Sequence, residues 1–201
     1  MNDERLTVPI GHLVGAGRVR RGTSLVELDD RQYAVWALAH GTPHAVEEQL
    51  PWQRESIVEL ARHTGIANAA EIVEELLGIG LLAEFTLGGE EARDFARGHQ
   101  LTPLMLGLGN TATEPVGFAI GFLGQPVLRV DFAVYDLWQW SAMDDSLWAV
   151  CESAADVARR SAEAQTDAET LLSRFLTALH PLLLVNAAYV DVSFRLSGVS
   201  A

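Results

Sequence analysis

The sequence predicts a mainly α fold with small β-hairpins, an α+β chain built as two tandem halves related by duplication, residues 1–97 and 98–201. Three observations predict it. Residues 25–40 (LVELDDRQYAVWALAH) and 127–142 (VLRVDFAVYDLWQWSA) align without gaps. With Val26 set on Leu128, an offset of 102, Asp29 falls on Asp131, Tyr33 on Tyr135 and Trp36 on Trp138. Flanking signals keep the same order. Leu6-Thr7-Val8-Pro9 precedes the first block and Leu101-Thr102-Pro103 the second, while helix starts of capping-box form, Asn68 with Glu71 and Thr166 with Glu169, follow them. Finally, apolar residues recur at helical spacing through most of the chain, and glycines punctuate short β-type runs.

In the first half, residues 8–14, 18–21 and 25–28 read as short strands separated by glycines. Asp29 or Asp30 then caps a helix carrying Tyr33, Trp36, Ala37 and His40, which Gly41 stops. Thr42-Pro43 starts a short helix. Two more helices follow over residues 52–64 and 68–78, the first with Ile57, Leu60 and Ala61 inward, the second with Ile72, Val73, Leu76 and Leu77. Residues 81–87 with Gly88-Gly89 suggest a hairpin. In the second half, residues 117–123 and 126–130 flank Gly124-Gln125 as a hairpin. Helices are expected over 131–142, 146–164 and 167–179, with His180-Pro181 marking the end of the last. Residues 187–194 alternate and read as a closing strand.

Composition narrows function. The chain is 49% hydrophobic, enough to bury a core, and carries a net charge of −13. All 14 basic residues are arginine, so Schiff-base, Walker and kinase-type lysines are excluded. Residues 41–91 hold ten acids against Arg54 and Arg62. No apolar run nears the roughly 20 residues of a membrane span, the acidic N-terminus is unlike a signal peptide, and Cys151 is the only cysteine, so a cytoplasmic protein is expected.

Residues 57–85 (IVELARHTGIANAAEIVEELLGIGLLAEF) resemble the helix-turn-helix of winged-helix proteins: Ala61 suits close helix packing, Gly65 the tight turn, and residues 76–82 the run into a wing. The longer stretch 8–85 is similar to the PqqD-like RiPP recognition element, a winged-helix module with strands before its helices. That resemblance implies binding of the leader segment of a ribosomally made precursor peptide. Insertion of residues 43–54 and the second copy depart from the compact form of that family.

The candidate binding residues follow. Leu25, Val26, Glu27 and Leu28 form the strand expected to receive a peptide, with Ile72, Val73, Glu75 and Leu76 lining the neighbouring groove. Arg18, Arg20 and Arg21 are the dense basic cluster of the first half, read either as an attraction for acidic peptide residues or as guards of a strand edge. In a DNA-reading winged helix, residues 68–78 would enter the major groove; their charges are Glu71, Glu74 and Glu75, which phosphates repel, so nucleic acid is not the expected partner. His40 and His44 have chelating spacing, but Gly41, Thr42 and Pro43 break the helix between them. Cys151 reads as a buried structural thiol, and Trp140 as packed between the halves. No catalytic set, metal or cofactor site is expected. The expected function is a non-catalytic module binding a peptide or protein, an accessory in making a modified peptide, whose partner is a precursor peptide or a tailoring enzyme; assembly into a homo-oligomer stays open. The alternative is a winged-helix transcriptional regulator, and a third reading is an enzyme with an unrecognised site.

Overall fold

A computed structural model describes residues 5–48, 52–160 and 166–193, and shows an α+β chain with small antiparallel sheets. Strand β1 (Arg5–Pro9) is followed by β2 (His12–Gly15), β3 (Arg18–Arg21) and β4 (Ser24–Glu27), which form a sheet in the order β2-β3-β4. The run 8–14 is therefore two strands, broken at Gly11 with φ 98°. Helix α1 (Asp30–Leu38) starts with a capping box: the Asp29 carboxylate accepts from the Arg31 and Gln32 amides, and the Gln32 side chain accepts from the Asp29 amide. Thr42 caps α2 (Pro43–Glu47). Helices α3 (Arg54–His63) and α4 (Ala69–Gly78) pack on α1 and on each other, and β5 (Leu82–Thr86) pairs antiparallel with β1.

After α5 (Gly89–Gly98) come β6 (His99–Pro103), then β7 (Leu106–Thr111), β8 (Glu114–Phe122) and β9 (Gln125–Val130) in a second sheet ordered β7-β8-β9. Helix α6 (Phe132–Trp140) is capped by Asp131, a 3-10 turn follows at Ser141–Met143, and α7 (Leu147–Arg160), α8 (Ala168–Thr177) and α9 (Leu179–Leu184) lead to β10 (Ala188–Val192), which pairs antiparallel with β6. Both halves thus run through one leading strand, a three-stranded sheet, an Asp-capped helix, further helices and a strand that returns to the first.

The two returns share their turn chemistry. The Gly80 amide donates to Leu77 O (3.0 Å) and the Leu81 amide to Leu76 O (2.9 Å); the Asn186 amide donates to Leu183 O (3.0 Å) and the Ala187 amide to Leu182 O (2.9 Å). Each is a Schellman ending whose C′ residue has positive φ, 72° at Gly80 and 55° at Asn186. By this measure the end of α4 corresponds to the end of α9, an offset of 106, and not to α8. The two expected capping boxes are also not what starts these helices. Asn68 makes no side-chain cap bond, α8 is capped by Asp167 accepting from the Thr170 amide (2.7 Å), and Glu169 instead meets Arg93 at 3.1 Å. Gly80→Ala tests the turn: the left-handed conformation disfavours a Cβ, and one built there lies 2.8 Å from the Arg21 Nη2. A loss of about 1–2 kcal/mol in urea unfolding is expected, and an unchanged midpoint would refute the strain argument.

Two cores form. The smaller joins Val19 and Leu28 to Val35, Trp36, Ile57, Ala61, Ile72, Val73 and Leu76. The larger fills the second half around Trp138, Phe175 and Leu176, yet also takes Leu6, Val8 and Ile10 around β1, Phe85 of β5 and Ala92, Phe95 and Ala96 of α5. The β1–β5 pair is therefore a wall of the second half's core, and the point between Arg97 and Gly98 falls in the last turn of α5.

Several local expectations are corrected. Gly88-Gly89 leads into α5, not into a hairpin, because β5 is already paired with β1 and Ala92, Phe95 and Ala96 make an inward helical stripe. His180-Pro181 does not end a helix but lies in the first turn of α9, where a missing amide costs nothing. Trp140 is 51% exposed, with Nε1 donating to Asp136 Oδ1 (3.1 Å), so it is not packed between the halves. Residues 161–164 of the expected helix and Phe194 of the expected strand lie outside the described residues. No described helix is long and apolar enough to cross a membrane.

Candidate functional site

The sheet β2-β3-β4 holds most of the residues singled out by sequence. Across β3 and β4, Arg18 faces Glu27, Val19 faces Val26, Arg20 faces Leu25 and Arg21 faces Ser24. Beyond the ladder the Leu28 amide donates to Gly17 O at 2.7 Å. Hydrogen-bonded and non-hydrogen-bonded pairs alternate in an antiparallel ladder. Counting from Leu28, Val26 therefore turns its backbone groups to β3, whereas Leu25 and Glu27 turn theirs to the outer side of β4. No described strand pairs on that side.

The opposite margin of the sheet is closed. Next to β2, the Gly11 amide donates to Val190 O of β10 (2.7 Å), and the His12 and Tyr189 rings meet at 4.6 Å. Arg20 Nη2 donates to the Tyr189 hydroxyl (3.1 Å). The buried Asp191 accepts from the Gly22 amide at 2.7 Å and from the Val192 amide at 2.8 Å. Burial, then the Arg20 charge, lowers the His12 pKa against a smaller opposing effect of Asp191. His99, nearby, is lowered chiefly by burial and also by Arg21. These contacts span about 170 residues of chain, and sequence spacing carried no signal for them.

They reassign the arginines. β3 is the middle strand, so Arg18, Arg20 and Arg21 guard no edge. Arg20 is held by Tyr189 across the join between halves, and Arg21 lies over Gly80 within the first half. Arg18 is exposed and opposite Glu27, and remains beside the β4 edge.

The expected apolar groove is corrected too. Ile72, Val73 and Leu76 are 3%, 0% and 0% exposed and belong to the core beneath α4, so they offer a peptide no surface. Leu28 is likewise buried, and Val26 packs partly against the same core. Exposed on α4 are Glu71, Glu74 and Glu75. Glu75 Oε2 accepts from Gln32 Nε2 (3.1 Å), whose other amide atom accepts from the Asp29 backbone, so this chain of bonds fixes α4 beside the end of β4. The open edge therefore presents Leu25, 54% exposed, and Glu27, with Asp30 and Glu75 at one end. Such a margin favours basic over acidic residues in a bound chain.

Elsewhere the chemistry is sparse. Burial pushes the Cys151 thiol up to about 12, too high for a nucleophilic thiolate near neutral pH. Among the described residues no group of three or more His, Cys, Asp or Glu side chains is placed to hold a metal ion. His40 donates from Nδ1 toward Trp36 O and Ala37 O, both at 3.2 Å, and burial lowers its pKa. No protein-family model, characterised relative or solved structure matches this chain.

Proposed function

We propose that this chain is a non-catalytic peptide-binding module, made of two winged-helix-like units of common descent, that takes up an extended peptide by strand addition along the outer side of β4. One observation carries the reading: the sheet β2-β3-β4 is anchored on its β2 side by β10, while the β4 side has no strand partner among the described residues. Main-chain bonds along such an edge supply affinity without demanding a particular sequence. The outward backbone groups of Leu25 and Glu27 make those bonds. Specificity comes from the Leu25 side chain and from Glu27, Asp30 and Glu75, which attract basic residues of the peptide. Common descent is supported by the repeated order of elements, by the Asp29 and Asp131 caps, and by the burial of Trp36 and Trp138. With the resemblance of residues 8–85 to a leader-binding module, the biological role is an accessory one in making a modified peptide, the partner being a precursor peptide or a tailoring enzyme.

The ladder register decides how to test this. A proline at Val26 would break the bond to β3 and damage the sheet, whereas a proline at Glu27 removes only an outward amide. The full chain is titrated with fluorescent extended peptides differing in net charge, read by anisotropy. Binding of basic peptides, weakened at least tenfold by Glu27→Pro and weakened less by Glu27→Gln, is expected. A folded Glu27→Pro protein that binds as tightly as the parent overturns strand addition at β4.

A further inference from the structure

A cleft of about 440 Å³ lies where the halves meet, on the side of the sheet away from the β4 edge. One wall is the α1 face with Tyr33, Trp36 and His40; the other is the turn from α9 into β10 with Asn186 and Tyr189; His12 of β2 lies between them. This volume is in the range of small-molecule sites, roughly 300–1,000 Å³.

Its lining has an unusual makeup for a chain of net charge −13: among the described residues that line it there is no carboxylate and no guanidinium. Its two histidines are held toward the neutral form, His40 by burial and His12 by burial and the adjacent Arg20. A charged ligand would find no countercharge among these lining residues. The rings run in sequence around the cleft: Tyr33 stacks on Trp36 at 6.4 Å, His40 meets Trp36 edge-on at 4.6 Å, and His12 meets Tyr189 at 4.6 Å. Flat walls of this kind suit a flat guest.

Polar residues also line the cleft with bonding capacity left over. With Nδ1 donating to backbone carbonyls, His40 leaves Nε2 as an acceptor. The Tyr189 hydroxyl oxygen accepts a hydrogen bond from Arg20 and keeps its own hydrogen to donate. The Tyr33 hydroxyl and the Asn186 amide make no side-chain hydrogen bond among the described residues. Asn186 is the one described non-glycine residue with positive φ, at a C′ position that in the first half is Gly80. The backbone turn would accept glycine there, so the amide is additional to what the turn needs.

We infer that this cleft is a binding site for a small, neutral, planar heteroaromatic molecule, stacked between the ring walls and hydrogen-bonded by Tyr33 and Asn186. The inference is independent of peptide capture at β4.

Indole serves as the probe, with cyclohexanol as a non-aromatic control and indole-3-acetate as a charged one, each titrated into the full chain and followed by ligand-observed NMR. Indole is expected to bind saturably, more tightly than either control. Ala37→Trp, which fills the cleft from the α1 side, should abolish that binding. Tyr33→Phe and Asn186→Gly should each weaken it by about three- to tenfold, the effect of one hydrogen bond. Asn186→Gly should fold about as stably as the parent, because the left-handed turn suits glycine, which offsets its greater freedom in the unfolded chain, so its result stands even if Ala37→Trp fails to fold. Non-saturable indole binding, equal binding of cyclohexanol, or affinity unchanged in both Asn186→Gly and Tyr33→Phe would overturn the assignment.

Discussion

Truncating Trp138 to alanine is expected to cost about 3–5 kcal/mol of unfolding free energy, against less than about 1 kcal/mol for Trp140→Ala two residues later. Trp138 is 1% exposed in the larger core and sits beside Tyr135, ring centroids 5.9 Å apart. Its Nε1 donates to Ala187 O at 3.1 Å. That carbonyl also accepts from the Leu104 amide at 2.9 Å, so truncation does not orphan it. The loss is thus mainly a cavity and the transfer of an indole, not an unsatisfied polar group. The β7 residue against this pair is Gly107, which has no side chain with which to fill the hole and approaches so closely that a Cβ there would overlap the Tyr135 hydroxyl. Trp140 is half exposed and, among the described residues, hydrogen-bonded only to Asp136 on its own helix, so alanine there removes little packing. Urea unfolding of the two variants checks the contrast. Similar losses for both would mean that Trp138 is not the keystone of the larger core.

The same pair shows where sequence reading succeeded and where it stopped. The spacing of Asp29, Tyr33 and Trp36 and its copy at Asp131, Tyr135 and Trp138 forces cap and core onto fixed helical positions, so α1 and α6 were legible. Trp140 was correctly placed on another face, but periodicity says only which face, not what covers it. β7 was missed because its sequence, LGLGNT, is interrupted by two glycines and lacks a β-type run; those glycines answer to Tyr135, 26 residues or more away. Residues 81–89 were misread because a Gly-Gly signal is local and the pairing of β5 with β1 is not. At the candidate site, the β4 strand was legible and its edge was not: open and closed sides of a sheet depend on β10, at the far end of the chain. Ile72, Val73 and Leu76 show a different failure. Their inward helical phase had already marked them as core, and residues with that phase are spent on the interior before any ligand arrives.

Acidification is expected to destabilise the protein well above the range in which its carboxylates titrate, and His180 is the main reason. It occupies the second position of α9, 7% exposed, with Nε2 donating to Thr7 O of β1 at 3.0 Å. Burial, opposed by the Thr7 bond and aided by the neighbouring His40, lowers its pKa from 6.5 to about 4. Above about pH 6.5 the ring is neutral in both states and the full contribution of this site is present. As pH falls from there toward 4, the unfolded chain takes up a proton that the folded protein refuses, and stability is lost; below about 4 the folded protein binds it too and the loss stops. A shift of this size corresponds to about 3 kcal/mol between pH 7 and pH 4. His40, His99 and His12 are lowered in the same sense and steepen the decline. Asp136, raised by burial, acts the other way. Glu91 and Asp167 are lowered by hydrogen bonds from the Thr86 and Thr170 amides, and what they contribute disappears only below the usual carboxylate range. His180→Gln keeps an amide donor for Thr7 without a titrating ring. It is expected to be less stable than the parent at neutral pH and to lose distinctly less stability on going to pH 4, measured by urea unfolding across the range. If His180→Gln declines as steeply as the parent, the acid sensitivity lies with the other histidines, and the buried imidazole holding α9 to β1 is not its source.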